Sequence, residues 1–148
     1  MVCRVIYKKM SEKNSIEVLK KLVSFDTTSF KSNLNLIKFI ENYLNDLNIK
    51  SELIYDDTKN KANLFTTIGP NLEGGIVLSG HTDVVPITKQ NWTSDPFILT
   101  KRDNKLFGRG SSDMKGFIAI VLSRVSTMVE KKLKKPIHLA FSYDEEIG

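Results

Sequence analysis

Two short apolar runs, each ending on a polar cluster, constrain this chain more than any other feature. Ile76-Val77-Leu78 leads into Ser79-Gly80-His81, and the run from Ile137 to Tyr143 leads into Asp144-Glu145-Glu146. Runs this short and this apolar read as strands buried on both faces of a sheet. A helical pattern starts near Met114 between them: Phe117, Ile120, Val121, Val125, Met128 and Val129 recur at helical spacing, and Pro136 closes the region. Upstream, Ser15 is placed to cap a helix to about Val23, with Ile16, Leu19, Leu22 and Val23 on one stripe. A second helix is expected from about Asn33 to Leu47, burying Leu34, Ile37, Ile40, Leu44 and Leu47. Strand candidates follow at 51–55 and 63–68. Phe97 to Thr100 and Lys105 to Phe107 flank Arg102-Asp103-Asn104 as a hairpin. Helices interleaved with strands predict an α/β layered fold. With no repeat, low-complexity tract or linker, residues 1–148 read as one domain.

A chain of 148 residues is long enough for one real core. No stretch approaches the roughly 18 consecutive apolar residues of a membrane span. The first residues do not read as an export signal, because Arg4 interrupts an apolar stretch shorter than the roughly 7–15 residues of a signal-peptide core. Met10, followed by Ser11-Glu12, is a candidate biological start; a natural N-terminal peptide beginning at Met1 would rule it out. Cys3 is the sole cysteine, so no intrachain disulfide can form, which suits a cytoplasmic protein. The net charge of +5 raises nucleic acid, a membrane surface or an anionic substrate as partners. The densest basic run, Lys131-Lys132-Leu133-Lys134-Lys135, lies where a helix should end, and cations there complement the helix dipole. It has neither a motif nor interleaved aromatics, so neither a nucleic-acid nor a membrane partner is expected.

Three polar clusters fall at or just after strand ends: His81-Thr82-Asp83, Asp113 and Glu145-Glu146. Ligands of open α/β sheets bind outside the carboxyl ends of strands, so the three point to one shared site. A neutral imidazole such as His81 is a common metal ligand, and a carboxylate often fixes its orientation. Asp83 lies two residues on, on the same side of an extended segment, where it can take the other ring N–H. Asp113 follows a glycine-rich turn. Glu145 and Glu146 would leave an extended backbone in opposite directions and so have different jobs. Each feature alone has a plainer reading: Asp83 could cap a turn, Asp113 could be a helix N-cap, and an acidic pair could simply be solvated. His138, inside a strand without an acidic neighbour, reads as structural. Gly108-Arg109-Gly110 lacks the third glycine of a dinucleotide fingerprint, and there is no Gly-Lys-Ser/Thr, so a phosphate cradle is rejected.

The joint pattern is more specific. Ser79-Gly80-His81-Thr82-Asp83-Val84-Val85-Pro86 precedes Trp92 and Asp95-Pro96-Phe97. Then come Leu106-Phe107-Gly108-Arg109-Gly110, Ser112-Asp113-Met114-Lys115-Gly116 and Asp144-Glu145-Glu146. From about Ser15 to Gly148 this order resembles the family of co-catalytic zinc peptidases and deacylases that includes acetylornithine deacetylase and succinyl-diaminopimelate desuccinylase. The resemblance implies a layered fold with a central mixed sheet flanked by helices. It also implies that His81 binds one zinc ion, Asp113 bridges two and Glu146 binds the second. Glu145 would be the general base and Asp83 would orient His81. The Asp113-Met114 peptide would be cis. Ligands of these types also admit cobalt or manganese.

The reaction so implied is removal of an acyl group from an N-acyl amino acid. Trp92, Asp95-Pro96-Phe97, Met114 to Phe117 and Leu139 to Tyr143 lean towards the acetylornithine deacetylase branch, with ornithine and acetate as products in arginine synthesis. A desuccinylase or zinc dipeptidase is the alternative. The resemblance places a further acidic ligand, a late histidine and a smaller domain for substrate contacts and homodimer formation beyond Gly148. The expectation is therefore a truncated catalytic domain, inactive alone, poorly folding and with an unpaired sheet edge. The alternative class is a non-catalytic remnant or binding module.

Overall fold

The computed structural model describes residues 15–147; Cys3, Met10 and Gly148 lie outside the described residues. The first helix, α1, spans Ser15–Val23 and the second, α2, spans Leu34–Asn45. Strands β1 (Glu52–Tyr55), β2 (Ala62–Ile68) and β3 (Ile76–His81) follow. A hairpin of β4 (Thr100–Arg102) and β5 (Lys105–Phe107) precedes helix α3 (Lys115–Glu130) and strand β6 (Ile137–Ser142). A 3₁₀ turn covers Glu145–Ile147. No described helix is long and apolar enough to cross a membrane.

The main sheet runs β1-β2-β6-β3 and is mixed: β1 to β2 and β2 to β6 are antiparallel, and β6 to β3 is parallel. A parallel pair requires a crossover, and α3 supplies it between β3 and β6. The hairpin forms a separate two-stranded sheet. Its turn residues Asp103 and Asn104 take φ of 49° and 57°, as a two-residue turn matched to strand twist requires. The expected strand from Phe97 begins only at Thr100.

Residues alternate across the sheet. Ala62, Leu64, Thr66 and Ile68 of β2 and Leu139 and Phe141 of β6 are buried, while Phe65 between them is exposed. The buried rows meet Leu22 and Val23 of α1, Ile37, Ile40 and Leu44 of α2, and Ile118, Leu122 and Val125 of α3 in one core. Tyr43 spans that core and donates its hydroxyl to the Leu122 carbonyl at 2.9 Å.

Two expectations are corrected. The apolar run of β3 is not buried on both faces: Ile76 and Val77 are 63% and 56% exposed. Among the described residues this strand pairs with β6 alone and forms a sheet edge; apolar content marks a strand but not what covers it. The apolar stripe read along α3 is also buried only in part, with Ile118 and Leu122 outside it joining the core. Ile118, Val121, Leu122 and Val125 are buried, whereas Ile120 and Val129 are exposed. The helix is apolar on nearly every side from Phe117 to Leu122, so its spacing leaves the face open and packing on α1 and β3 decides it. Accordingly, Ile118→Val is expected to cost about 0.5–1.5 kcal/mol of stability. Ile120→Val should stay within about 0.5 kcal/mol of the parent. The urea midpoints of the two variants check this, and equal midpoints would contradict the burial.

Candidate metal centre

The parallel pairing of β3 and β6 sets His81 opposite Ser142, so both strands end at one edge of the sheet. Beyond Ser142 the chain turns at Asp144, with φ of 59°, into the 3₁₀ turn that carries Glu145 and Glu146. The two glutamates therefore do not leave an extended backbone in opposite directions, as expected. One oxygen from each lies within 4.8 Å of the other and of a His81 ring nitrogen.

Asp113 reaches the same place from the loop after the hairpin. Gly110 has φ of +76°, and a Cβ there would come 2.7 Å from Val84 Cγ1. Glycine thus lets the loop lie against the chain just after His81. The Gly110 carbonyl accepts the Lys115 amide at 2.8 Å. The Asp113-Met114 peptide is cis. Met114, not Asp113, holds the helix N-cap position and makes no side-chain cap. The Asp113 carboxylate instead meets His81 Nε2 at 3.0 Å.

His81 is buried, with Nδ1 3.1 Å from the Asp83 carbonyl oxygen and 3.4 Å from Asp83 Oδ1. Its other nitrogen, Nε2, faces Asp113 at 3.0 Å and Glu145 Oε2 at 3.7 Å. The Nδ1 hydrogen bond goes to the Asp83 backbone carbonyl rather than to the carboxylate expected to accept it, and the carboxylate bonds elsewhere. Its Oδ2 accepts the Ser29 hydroxyl at 2.7 Å and the Glu146 amide at 3.1 Å, and Oδ1 accepts the Glu145 amide at 3.2 Å. The plain reading of Asp83 as a turn cap and its place beside His81 therefore hold together: it caps a turn 62 residues away.

The segment between α1 and α2 went unnoticed in the sequence. Thr27, Ser29 and Asn33 are buried there. The Thr27 hydroxyl donates to the Thr82 carbonyl at 2.6 Å, and the Ser29 amide donates to the Val84 carbonyl at 3.2 Å. Asn33 exchanges two hydrogen bonds with the Ala62 backbone and donates to Thr82 Oγ1 at 2.9 Å. Lys115, fully buried, donates its Nζ to the Phe25 carbonyl at 2.7 Å, tying the Asp113 loop to the end of α1. Burial pushes its ammonium down to about 8, against the pull of the Asp26 charge. A polar run after a helix looks like an ordinary turn; only its Asx and Ser/Thr density hinted at more. His138 lies away from the site and is structural, with Nδ1 2.8 Å from Thr67 Oγ1 and Nε2 3.3 Å from the Gly74 carbonyl.

The electrostatics favour a cation. Burial pushes the His81 imidazole down, but the Asp113 hydrogen bond, the Asp83 carbonyl and the Asp83 and Glu145 charges outweigh it and hold it above its ordinary value. Burial, joined by the Asp113, Glu145 and Asp83 charges, raises the Glu146 carboxyl, with His81 pulling the other way. Four carboxylates thus crowd one imidazole, and a divalent ion would relieve their repulsion. An imidazole-and-carboxylate donor set fits zinc, cobalt or manganese. Asp113 and Glu145 have side chains 76% and 61% exposed, so the cluster opens to solvent on that side.

The sequence model of Peptidase family M20/M25/M40 matches residues 77–148, the stretch holding His81, Asp83, Asp113, Glu145 and Glu146. The chain is 39% identical over 137 residues to acetylornithine deacetylase of Buchnera aphidicola subsp. Acyrthosiphon pisum (strain Tuc7), covering 88% of this chain and 36% of that protein. It is 41% identical over 124 residues to acetylornithine deacetylase of Pasteurella multocida (strain Pm70), covering 83% of this chain and 32% of that protein. The chain thus spans about a third of the length of these curated relatives. Its fold superposes on human carnosine dipeptidase 1 with a TM-score of 0.78 at 21% identity, covering 100% of this chain and 36% of that one. An M20 family metallo-carboxypeptidase from Sulfolobus solfataricus gives a TM-score of 0.79 at 20% identity, covering 91% of this chain and 32% of that one. A mixed sheet whose parallel strands deliver a histidine and two glutamates to one edge, with an aspartate joining them across a cis peptide, accompanies these matches: the chain belongs to peptidase family M20/M25/M40, whose members depend on metal.

Proposed function

We propose that this chain is the catalytic part of a metal-dependent amidohydrolase that removes an acyl group from an N-acyl amino acid, with N-acetylornithine as the leading substrate. The observation that carries the reading is the convergence of His81, Asp113, Glu145 and Glu146 at one sheet edge. In this reading His81 and Asp113 would hold one ion, and Asp113 and Glu146 would hold the other. When bound, a pair of such ions supplies a water of lowered pKa and polarises the amide carbonyl. Glu145 takes the proton from the attacking water and hands it to the leaving amine. Asp83 keeps His81 turned so that Nε2 faces the carboxylates. The exposed side of Asp113 and Glu145 leaves room for the scissile amide.

Zinc binding tests the centre directly. Titration with zinc against a chromophoric chelator is expected to show tight binding, weakened at least about tenfold by His81→Ala. Binding unaffected by that change would sink the assignment. Each ion has two protein ligands in this set, whereas a catalytic zinc commonly has about three plus an open position. The 148-residue chain alone is therefore expected not to turn over N-acetylornithine; hydrolysis by the purified chain would overturn this. For the enzyme that carries the chain, parallel assays on N-acetylornithine and succinyl-diaminopimelate separate the deacetylase reading, supported by the named relatives, from a desuccinylase.

A further inference from the structure

The turn bearing Glu145 and Glu146 is gripped at two points, and both grips start from Ser29. Its hydroxyl donates to Asp83 Oδ2 at 2.7 Å, and Asp83 accepts the Glu145 and Glu146 amides at 3.2 and 3.1 Å. Its carbonyl accepts Lys61 Nζ, and the same ammonium pairs with the Asp144 carboxylate. Lys61 stands just before β2, with its Nζ 5.7 Å from the Tyr143 ring centre. The Lys61 and Asp144 side chains are only 16% and 27% exposed, so solvent screens this pair less than a surface pair.

We propose that Ser29 and Lys61 are positioning residues that set the placement of the Glu145–Glu146 turn relative to His81. Three features carry this. Asp144 takes φ of 59°, a region few non-glycine residues occupy, so the turn requires outside support to hold its direction. The two grips bracket the turn, one on the Asp144 side chain and the other on the next two amides. An ammonium has several donors, so Lys61 can satisfy the Ser29 carbonyl and Asp144 together, where an apolar side chain would leave both unpaired. Neither residue contacts a candidate metal ligand through its side chain; Ser29 acts through Asp83 and Lys61 through Asp144. The consequence for metal binding rests on the function proposed above, but the positioning itself does not.

The test uses the protein as its gene encodes it, with Lys61→Met, Ser29→Ala and Lys61→Arg. Hydrogen exchange is followed at the Glu145 and Glu146 amides and, as a reference, at Leu139 and Phe141 in the core strand β6. Lys61→Met and Ser29→Ala are each expected to speed exchange at Glu145 and Glu146 by about tenfold or more and leave Leu139 and Phe141 unchanged. Lys61→Arg, which keeps the charge and donors, should restore protection. Zinc affinity should fall by about 10–100-fold in the first two variants and recover in the third. Equal acceleration at all four amides would make the residues merely structural and overturn the proposal, as would no change at Glu145 and Glu146. If Lys61→Met does not fold, Ser29→Ala carries the same comparison. If the parent protein binds no zinc, the metal-centre reading fails while the exchange data still decide the positioning role.

Discussion

Under the function proposed above, Glu145→Gln in the complete enzyme that carries this chain is expected to lower kcat for amide hydrolysis by about 10²–10⁴-fold, the usual worth of a positioned general base. Metal content should stay at the parent level. Gln keeps the shape of the side chain and its backbone bond to Asp83, but it cannot take up a proton at neutral pH. KM should change little, because the loss falls on the chemical step. The structure sharpens the point of the experiment. A Glu145 oxygen lies with those of His81 and Glu146 in one possible ligand set, so a ligand role competes with the base role. Steady-state kinetics paired with metal analysis of the same preparation separates them. Lost turnover with metal retained supports the base; loss of both makes Glu145 a ligand; near-normal kcat removes it from the chemistry.

Much of the architecture was legible because it rests on local signals. The spacing of Leu19, Leu22 and Val23 and of Ile37, Ile40 and Leu44 marked α1 and α2, and Asp103-Asn104 marked the hairpin. The candidate site residues His81, Glu145 and Glu146 stood out because apolar runs stop abruptly at polar clusters, and strand ends are where such sites form. Three things were hidden for a common reason. The exposure of Ile76 and Val77, the face α3 buries and the partners of Ser29 all depend on segments far away in sequence. Ser29 sits 54 positions from Asp83, and Lys61 sits 83 from Asp144. A serine in a polar loop and a lysine beside a turn give no local sign that the one is buried, the other half-buried, and both paired. The opposed directions expected for Glu145 and Glu146 failed through backbone conformation: β6 ends at Ser142, and positive φ at Asp144 turns the chain into the 3₁₀ turn that carries the pair.

Asp83→Ala is expected to lower folding stability by about 2–4 kcal/mol and zinc affinity by about 10–100-fold. The stability loss follows from counting what the carboxylate accepts. It is buried and takes three donors, the Ser29 hydroxyl and the Glu145 and Glu146 amides. Bonds to a charged acceptor are the stronger kind, and removing the acceptor leaves the donors unpaired in a partly buried site. The affinity loss has a separate origin, since Asp83 also borders His81 Nδ1 and fixes which ring nitrogen faces the other acids. Asp83→Asn discriminates between the two effects. It retains one oxygen but turns an N–H₂ group towards an N–H or O–H donor, so it should recover part of the stability and little of the metal binding. Thermal denaturation with and without zinc, run beside chelator competition, reads both. A variant that unfolds earlier yet binds zinc as tightly as the parent while folded would confine Asp83 to the turn and leave the orientation of His81 to the Asp83 backbone carbonyl alone.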